Sequence, residues 1–376
     1  MGIRSQSETA LLTIANVTCR IGRRRALQIG AFALYPGQQW CIFGGNGAGK
    51  TLFGRLLGGR LPVADGEIVR APDFDPHLQL VEVSFEEQQR LWEFDDRHDI
   101  SEFQADAVDA GTTVRSLILG SENPDPVRQT RYRELVATLA LQEVQEQGIR
   151  FLSSGQVRRA MLARALMGKA DGRFRLLILD DPLESIDRES REPVRQLLAR
   201  WMDDRSCVVQ LCRRAGDILP GITHLALMQD LVLREQGELA RVKAGRLFHQ
   251  LTDIIPTVPV KLPESPMQHA RLSADTNLIE LRQVTASYAN QIVLNRISWT
   301  MRSGQHTLIE GPNGCGKSTL LSLIDGENHK AYGQDVHLFG RRRGSGESVW
   351  DIKARFGVVS NELHNRYIRG WRVLEV

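Results

Sequence analysis

Short apolar runs alternate along the chain with stretches whose apolar residues recur every three or four positions. The two periods predict strands and helices in turn. Leu11-Leu12-Thr13-Ile14-Ala15-Asn16-Val17-Thr18 predicts a first strand. Trp40-Cys41-Ile42-Phe43 is apolar throughout, as a strand covered on both faces should be, and Leu52-Phe53-Gly54-Arg55-Leu56-Leu57 opens a helix behind it. Val81-Glu82-Val83-Ser84-Phe85 alternates like a strand and runs into Glu86-Glu87-Gln88-Gln89. Residues 93–110 are acidic and read as an irregular, solvated insertion. From Tyr132 to Gln145 the positions of Leu135, Val136, Leu139, Leu141 and Val144 predict a helix, and Val157–Leu166 predicts another. Leu176-Leu177-Ile178-Leu179 is a buried strand that ends in Asp180-Asp181-Pro182. Cys207–Leu211 is a further strand, and Ile222–Met228 with Leu231–Leu233 a closing hairpin. Such alternation predicts an α/β fold.

The pattern then repeats. Leu281-Arg282-Gln283-Val284-Thr285, Ser287-Tyr288-Ala289-Asn290 and Met301-Arg302-Ser303-Gly304 lead to Gly311-Pro312-Asn313-Gly314-Cys315-Gly316-Lys317-Ser318-Thr319. In the first half the matching stretch is Gly44-Gly45-Asn46-Gly47-Ala48-Gly49-Lys50-Thr51. Lys50 and Lys317 stand 267 positions apart, and so do Val17 and Val284. Two matching stretches at one offset mean two copies of one domain. The first is expected over 1–245 and the second over 277–376. Between them, 246–276 is expected to be a proline-rich linker, extended and non-helical over 256–266, where Pro256, Pro259, Pro263 and Pro266 fall.

Both glycine-rich stretches fit G-x-x-x-x-G-K-[ST] between a strand and a helix, the arrangement of a phosphate loop. Backbone N–H groups of the loop and of the helix N-terminus converge on phosphate oxygens, and glycine allows that close approach. The candidate nucleotide contacts are Gly44, Asn46, Gly47, Gly49, Lys50 and Thr51 in the first copy. In the second they are Gly311, Asn313, Gly314, Gly316, Lys317, Ser318 and Thr319. Lysine supplies charge to the β- and γ-phosphates, and the Thr51 and Ser318 hydroxyls are Mg²⁺ ligands. Asp180, released at the carboxyl end of a buried strand, is expected in the Mg²⁺ shell, and Asp181 to polarise the attacking water. Ser153-Ser154-Gly155-Gln156 begins a helix, where free N–H groups and the helix dipole favour an anion.

Composition adds exclusions. The chain has 376 residues, 42% hydrophobic and 25% charged, with a net charge of +3, too small over that length to argue for nucleic acid. Cys19, Cys41, Cys207, Cys212 and Cys315 are an odd, scattered set without metal-ligand spacing, which fits reduced thiols in the cytosol. No apolar run approaches the roughly 18 residues of a membrane span. Work at a membrane would need a partner, with the chain at its inner face.

Phosphate loop, then Leu152-Ser153-Ser154-Gly155-Gln156, then a strand ending in Asp-Asp-Pro: this order resembles the ATP-binding-cassette (ABC) ATPases. Four of five residues match that family's Leu-Ser-Gly-Gly-Gln signature, and Ser185-Ile186-Asp187 falls at its D-loop. The tandem arrangement and residues 338–353 resemble cassettes linked to molybdate transport and photorepair. The resemblance implies a P-loop NTPase of ABC type, with Asp180, Asp181 and Lys50 as catalytic residues and ATP and Mg²⁺ as cofactors. It also implies cassettes paired head to tail, each ATP lying between one phosphate loop and the other cassette's signature, and a membrane permease as partner. A homodimer of first cassettes would pair in the same way. The alternative is a soluble tandem cassette acting on ribosomes or DNA. The proline-rich connector argues against it; Arg341-Arg342-Arg343 keeps a phosphate-binding patch open.

Departures from the family pattern are specific. Tyr288 stands where an aromatic stacks on adenine, but the first copy has Ile21 there. Asp181 replaces a glutamate, and Arg213 stands where the family carries a γ-phosphate-sensing histidine. The glutamine expected after the 81–85 strand falls at Glu86 or Gln88. Together these predict slow hydrolysis at the first site. Counting from the first copy, a second signature would fall near residue 422. The second cassette is therefore expected to be incomplete, as in a fragment or a prematurely ended product, with apolar surface exposed.

Overall fold

The computed structural model describes residues 9–97, 111–120, 124–170, 175–202, 207–252, 276–288, 291–312, 314–326 and 328–359. The chain divides into two compact units, Met1–Pro259 and Val260–Val376. The first opens with β1 (Leu12–Ile21), β2 (Arg25–Leu34), β3 (Gln39–Phe43), α1 (Lys50–Leu57), β4 (Asp65–Arg70), α2 (Pro76–Gln79) and β5 (Leu80–Val83). The helices α3 (Phe85–Arg97), α4 (Val114–Leu119), α5 (Pro126–Thr138) and α6 (Ser154–Ala170) follow. Then come β6 (Leu176–Asp180), α7 (Arg188–Arg200), β7 (Cys207–Cys212), β8 (His224–Gln229), β9 (Val232–Glu238), α8 (Leu239–Lys243) and α9 (Arg246–Thr252).

All nine strands form one sheet in the order β4-β1-β2-β9-β8-β3-β7-β6-β5. Its heart, β5-β6-β7-β3-β8, is parallel; β9 pairs antiparallel with β8 and parallel with β2, and β1 pairs antiparallel with β2 and β4. The apolar runs make this possible because alternate residues serve opposite faces. Trp40, Ile42, Ile178, Val209 and Leu211 pack on one face with Phe53, Leu56 and Leu57 of α1. Cys41, Phe43, Leu177, Leu179 and Val208 pack on the other with Val157, Leu162 and Leu166 of α6 and Leu198 of α7. The first strand, the hairpin β8–β9 and the three central strands stand where the apolar pattern put them.

Three stretches differ from the sequence reading. Asp125 caps α5 by accepting from the N–H groups of Val127 and Arg128, with Pro126 in the first turn. The helix ends at Thr138, not Gln145; Ala140 takes φ 50° and a 3₁₀ turn covers Gln142–Val144. The apolar spacing through Leu139, Leu141 and Val144 records burial without a continuous helix. Residues 93–97, read as solvated insertion, complete α3, and Asp95 is buried, accepting from the Thr112 N–H (2.9 Å) and hydroxyl (2.7 Å). The rest of that insertion, 98–110, lies outside the described residues. Residues 246–252, assigned to the connector, form α9, whose buried Phe248 meets the Phe43 ring at 5.2 Å. The connector's prolines lie outside the described residues.

The second unit holds β10 (Asn277–Tyr288), β11 (Gln291–Arg302), α10 (Lys317–Asp325), β12 (Asp335–Leu338), β13 (Arg341–Arg342) and α11 (Val349–Lys353). Its sheet has the order β11-β10-β12-β13 over a core that includes Leu281, Val284, Leu294, Leu323 and Val336. Residues 305–310, which precede the second loop as β3 precedes the first, form no strand, and Leu308 is 79% exposed. Among the described residues no helix is long and apolar enough to cross a membrane.

Phe53 fastens α1 to the sheet. It is fully buried and meets the Phe32 ring edge-on at 5.1 Å. Phe53→Ala should cost about 3–5 kcal/mol. Urea unfolding should show the first unit's midpoint lowered by more than about 1 M, with the second unit's unchanged.

Candidate nucleotide site

The site forms at the carboxyl edge of the parallel strands, where an open α/β sheet leaves a crevice. Chain leaving β3 turns at once into the first loop. The Gly44 N–H donates to the Cys212 carbonyl at 3.2 Å, and a Cβ on Gly44 would stand 2.4 Å from the Met228 carbonyl oxygen, so only glycine fits. Gly49 takes φ 100° and starts α1 without a side-chain cap. The N–H groups of the first turn thus have no side-chain acceptor, which suits an anion. Asn46 and Gly47 are exposed at the rim. Lys50 is 7% exposed, and its ammonium donates to the Gly44 and Gly45 carbonyls, both at 2.9 Å.

Asp180 ends β6 and accepts the Thr51 hydroxyl at 2.8 Å, so two oxygen ligands for a divalent cation stand together. Asp181 follows with φ 42°, and its N–H donates to the Leu211 carbonyl at 3.0 Å. Its carboxylate lies 3.5 Å from Nε of Arg213, whose other end pairs with Glu184. Under the same edge, Arg158 is 2% exposed and donates to the Asp180 carbonyl at 3.5 Å. Glu86, one candidate for the glutamine position, pairs with Arg55, with Nε donating at 3.1 Å; Gln88, the other, is buried.

Burial sets the titration of the cluster. The Lys50 ammonium is drawn below its ordinary range by burial, against the opposing pull of Asp181 and Asp180. Burial raises the Asp180 carboxyl, and the Thr51 hydrogen bond and Lys50 resist. Asp181 is pushed up to about 6 by burial and then by Asp180, with Arg213 and Lys50 opposing.

Ser153 and Gln156 cap α6 reciprocally. The Ser153 N–H and hydroxyl donate to Gln156 Oε1 at 2.9 and 3.0 Å, and the Gln156 N–H donates to the Ser153 hydroxyl at 3.3 Å. Gln156, expected at the nucleotide, spends its side-chain carbonyl on this cap. Among the described residues no hydrogen bond or ion pair joins Ser153, Ser154, Gly155 or Gln156 to residues 44–51.

At the second loop Lys317 donates to the Gly311 and Pro312 carbonyls, both at 2.7 Å, and Gly316 takes φ 94° ahead of α10. Lys317 repeats the bonding of Lys50 in a more open setting. Among the described residues Ser318 and Thr319 have no carboxylate bonded to them as Thr51 has. Asn313 lies outside the described residues, as does the side chain of Tyr288.

Sequence reading missed Arg158 and Glu184. The signal for Arg158 was a charged residue inside the apolar run 157–166. Glu184, three residues beyond Asp181, gave a weaker one.

The donor set fits a magnesium-bound nucleoside triphosphate: a close-approach glycine, an uncapped helix start, a buried ammonium and paired oxygen ligands. The chain matches the family model described as ABC transporter over residues 27–184 and again over 294–371. It is 33% identical over 362 residues to the ABC transporter ATP-binding protein ModF of Escherichia coli, covering 95% of this chain and 71% of that protein. It is 27% identical over 370 residues to an uncharacterized ABC transporter ATP-binding protein of Schizosaccharomyces pombe, covering 95% and 72%. Among solved structures, a bacterial Atm1-family ABC exporter with ATP bound superposes with a TM-score of 0.48 at 17% identity, covering 64% of this chain and 41% of that one.

The position of Asp181 has a measurable cost. Its carboxyl rises from an ordinary 3.8 to about 6 in the folded chain. The folded state then binds the proton more tightly, so this contribution to stability is full below pH 3.8 and lost as pH rises through 6. Asn tolerates the left-handed backbone of Asp181. In the nucleotide-free protein, Asp181→Asn should raise Tm at pH 7.5 by about 2–4 °C. Differential scanning calorimetry should find a smaller gain at pH 5; a loss of stability at pH 7.5 would contradict the charge argument.

Proposed function

The chain belongs to the ABC transporter family, and we propose that it binds Mg·ATP at the loop Gly44–Thr51 and couples hydrolysis to transport through a membrane permease. The observation that carries this is the meeting of Lys50, the Thr51–Asp180 pair and Asp181 at one strand edge. Lys50 gives the β- and γ-phosphates a charge, exchanging two loop carbonyls for phosphate oxygens. Thr51 and Asp180 hold the cation, which when bound supplies positive charge to the phosphate oxygens. Asp181 accepts a proton from the attacking water, and Arg213 holds its carboxylate in place. Asp181 is one methylene shorter than glutamate, so its reach to that water is reduced and turnover is slow.

Ser153, Ser154 and Gly155 supply their helix N-terminus to a nucleotide held by another cassette, such as the first unit of a second copy. The loop around Lys317, with Ser318, is a second phosphate site, and Tyr288 stacks on its adenine. Molybdate is the solute that the sequence resemblance implies.

Calorimetric titration with Mg·ATP tests the phosphate sites. Lys50→Ala should remove binding at the first, and Lys50→Ala with Lys317→Ala should remove both; unchanged binding in the double variant would refute the assignment. Asp181→Asn should keep ATP binding and lower hydrolysis by about 10²–10⁴-fold. In detergent extracts the chain should co-purify with a permease. Salt-sensitive retention on RNA or DNA instead would favour the ribosome or DNA role.

A further inference from the structure

The turn between β1 and β2 brings arginines to the mouth of the first loop. Arg20, Arg23, Arg24 and Arg25 line a cavity of about 1060 Å³ together with Gly47 of the loop and Asp230. No aromatic residue lines it. All four arginines are exposed, and among the described residues none is held in an ion pair.

Strand register says which of them commands the loop. Ile21 pairs with Arg25 on the last rung of the β1–β2 ladder, so the two side chains share a face. Leu27, two residues on, shares that face and is fully buried against the loop; its Cδ1 lies 3.3 Å from where a Cβ on Gly49 would stand. Arg25 is therefore the next side chain outward, roughly 7 Å further along the strand. A triphosphate held by residues 44–51 must direct its nucleoside to an open side of the loop, and the cavity bordering Gly47 is one. In the second unit the positions 267 residues on are Tyr288 and Ile292. One cradle thus carries Ile and Arg where the other carries Tyr and Ile.

Resting on the phosphate-loop reading above, we propose that Arg25 takes the place of an aromatic ring at the first site, so that this site accepts GTP about as well as ATP. A guanidinium plane stacks on the face of either purine. Guanine also offers O6 and N7, the acceptor pair that arginine binds with both arms. Ile21, beside Arg25 on the same face of the ladder, adds an apolar neighbour. Asp230 is the one carboxylate among the residues that line the cavity.

The test uses the full chain carrying Lys317→Ala, so that only the first site reports. A fluorescent ATP analogue is displaced with ATP, GTP and inorganic tripolyphosphate. ATP and GTP should compete within about threefold of each other. Arg25→Ala should weaken both by about five- to tenfold and leave tripolyphosphate within twofold, because the lost contact is to the base. Arg25→Lys, which keeps the charge and loses the plane, should behave like Arg25→Ala. Arg25→Tyr should recover ATP affinity. A tenfold preference for ATP over GTP, or an equal loss for tripolyphosphate in Arg25→Ala, overturns the proposal while leaving the phosphate loop standing. Retention of all three ligands after Lys50→Ala removes the phosphate-loop reading, and this one with it.

Discussion

Strand β7 holds the site together. Its Cys212 carbonyl accepts the N–H of Gly44, the first residue of the loop, and its Leu211 carbonyl accepts the N–H of Asp181. Two segments 137 positions apart in the chain are thereby fastened to adjacent residues of one central strand. The parallel registers on either side are Phe43 with Cys212 and Asp180 with Leu211, and a one-residue shift would exchange the side chains fitted against α1 with those fitted against α6. The Thr51–Asp180 hydrogen bond follows from that constraint. It joins residues 129 positions apart, and it would not form if β6 and β3 ended at different heights.

What could be read from the sequence divides along the same line. The loop was legible because its geometry is local: glycines that permit positive φ, a lysine that folds back on carbonyls, and a helix starting without a cap. The apolar runs 40–43 and 176–179 were legible because burial on both faces leaves no polar residue to interrupt them. The end of α5 was not, because Leu139, Leu141 and Val144 keep burying apolar surface after the helix stops. Asp95 was misjudged for a similar reason. Its partner Thr112 lies 17 residues on, and nothing in an acidic stretch marks a carboxylate that will be enclosed. The pairing of Arg213 with Asp181 and Glu184 is likewise a product of the fold, as two ends of different strands meet.

The second unit separates local from tertiary causes within the same chain. Lys317 donates to two loop carbonyls as Lys50 does, and Gly316 and Gly49 have φ within a few degrees of each other, at 94° and 100°. Yet residues 305–310 form no strand there, and the lysine is more open to solvent. Loop shape therefore does not need β3. Burial of the lysine, the carboxylates opposite the hydroxyl and the raised titration of Asp181 all do, because each comes from strands packed beside β3. A phosphate cradle can thus be written in eight residues, whereas the hydrolytic edge around it needs the whole sheet.

In the first unit Lys50, Arg213 and Asp180 each have partners in the nucleotide-free chain. Lys50 has two carbonyls, Arg213 two carboxylates, and Asp180 the Thr51 hydroxyl. Nucleotide affinity is consequently a difference between two sets of charge-assisted hydrogen bonds, and not the sum of the new ones. On the proposed binding of a triphosphate, that exchange is favourable because carbonyls are weaker acceptors for a buried ammonium than fully charged phosphate oxygens. It is less favourable for Arg213, which would have to give up an ion pair to reach a phosphate. In the structure the lysine is held by loop carbonyls, while the arginine engages the Asp181 and Glu184 carboxylates. A histidine in its place, neutral near pH 7, would have faced no such choice. The departure at position 213 and the short carboxylate at position 181 are best understood together: a carboxylate with one methylene less is held by a longer, permanently charged partner.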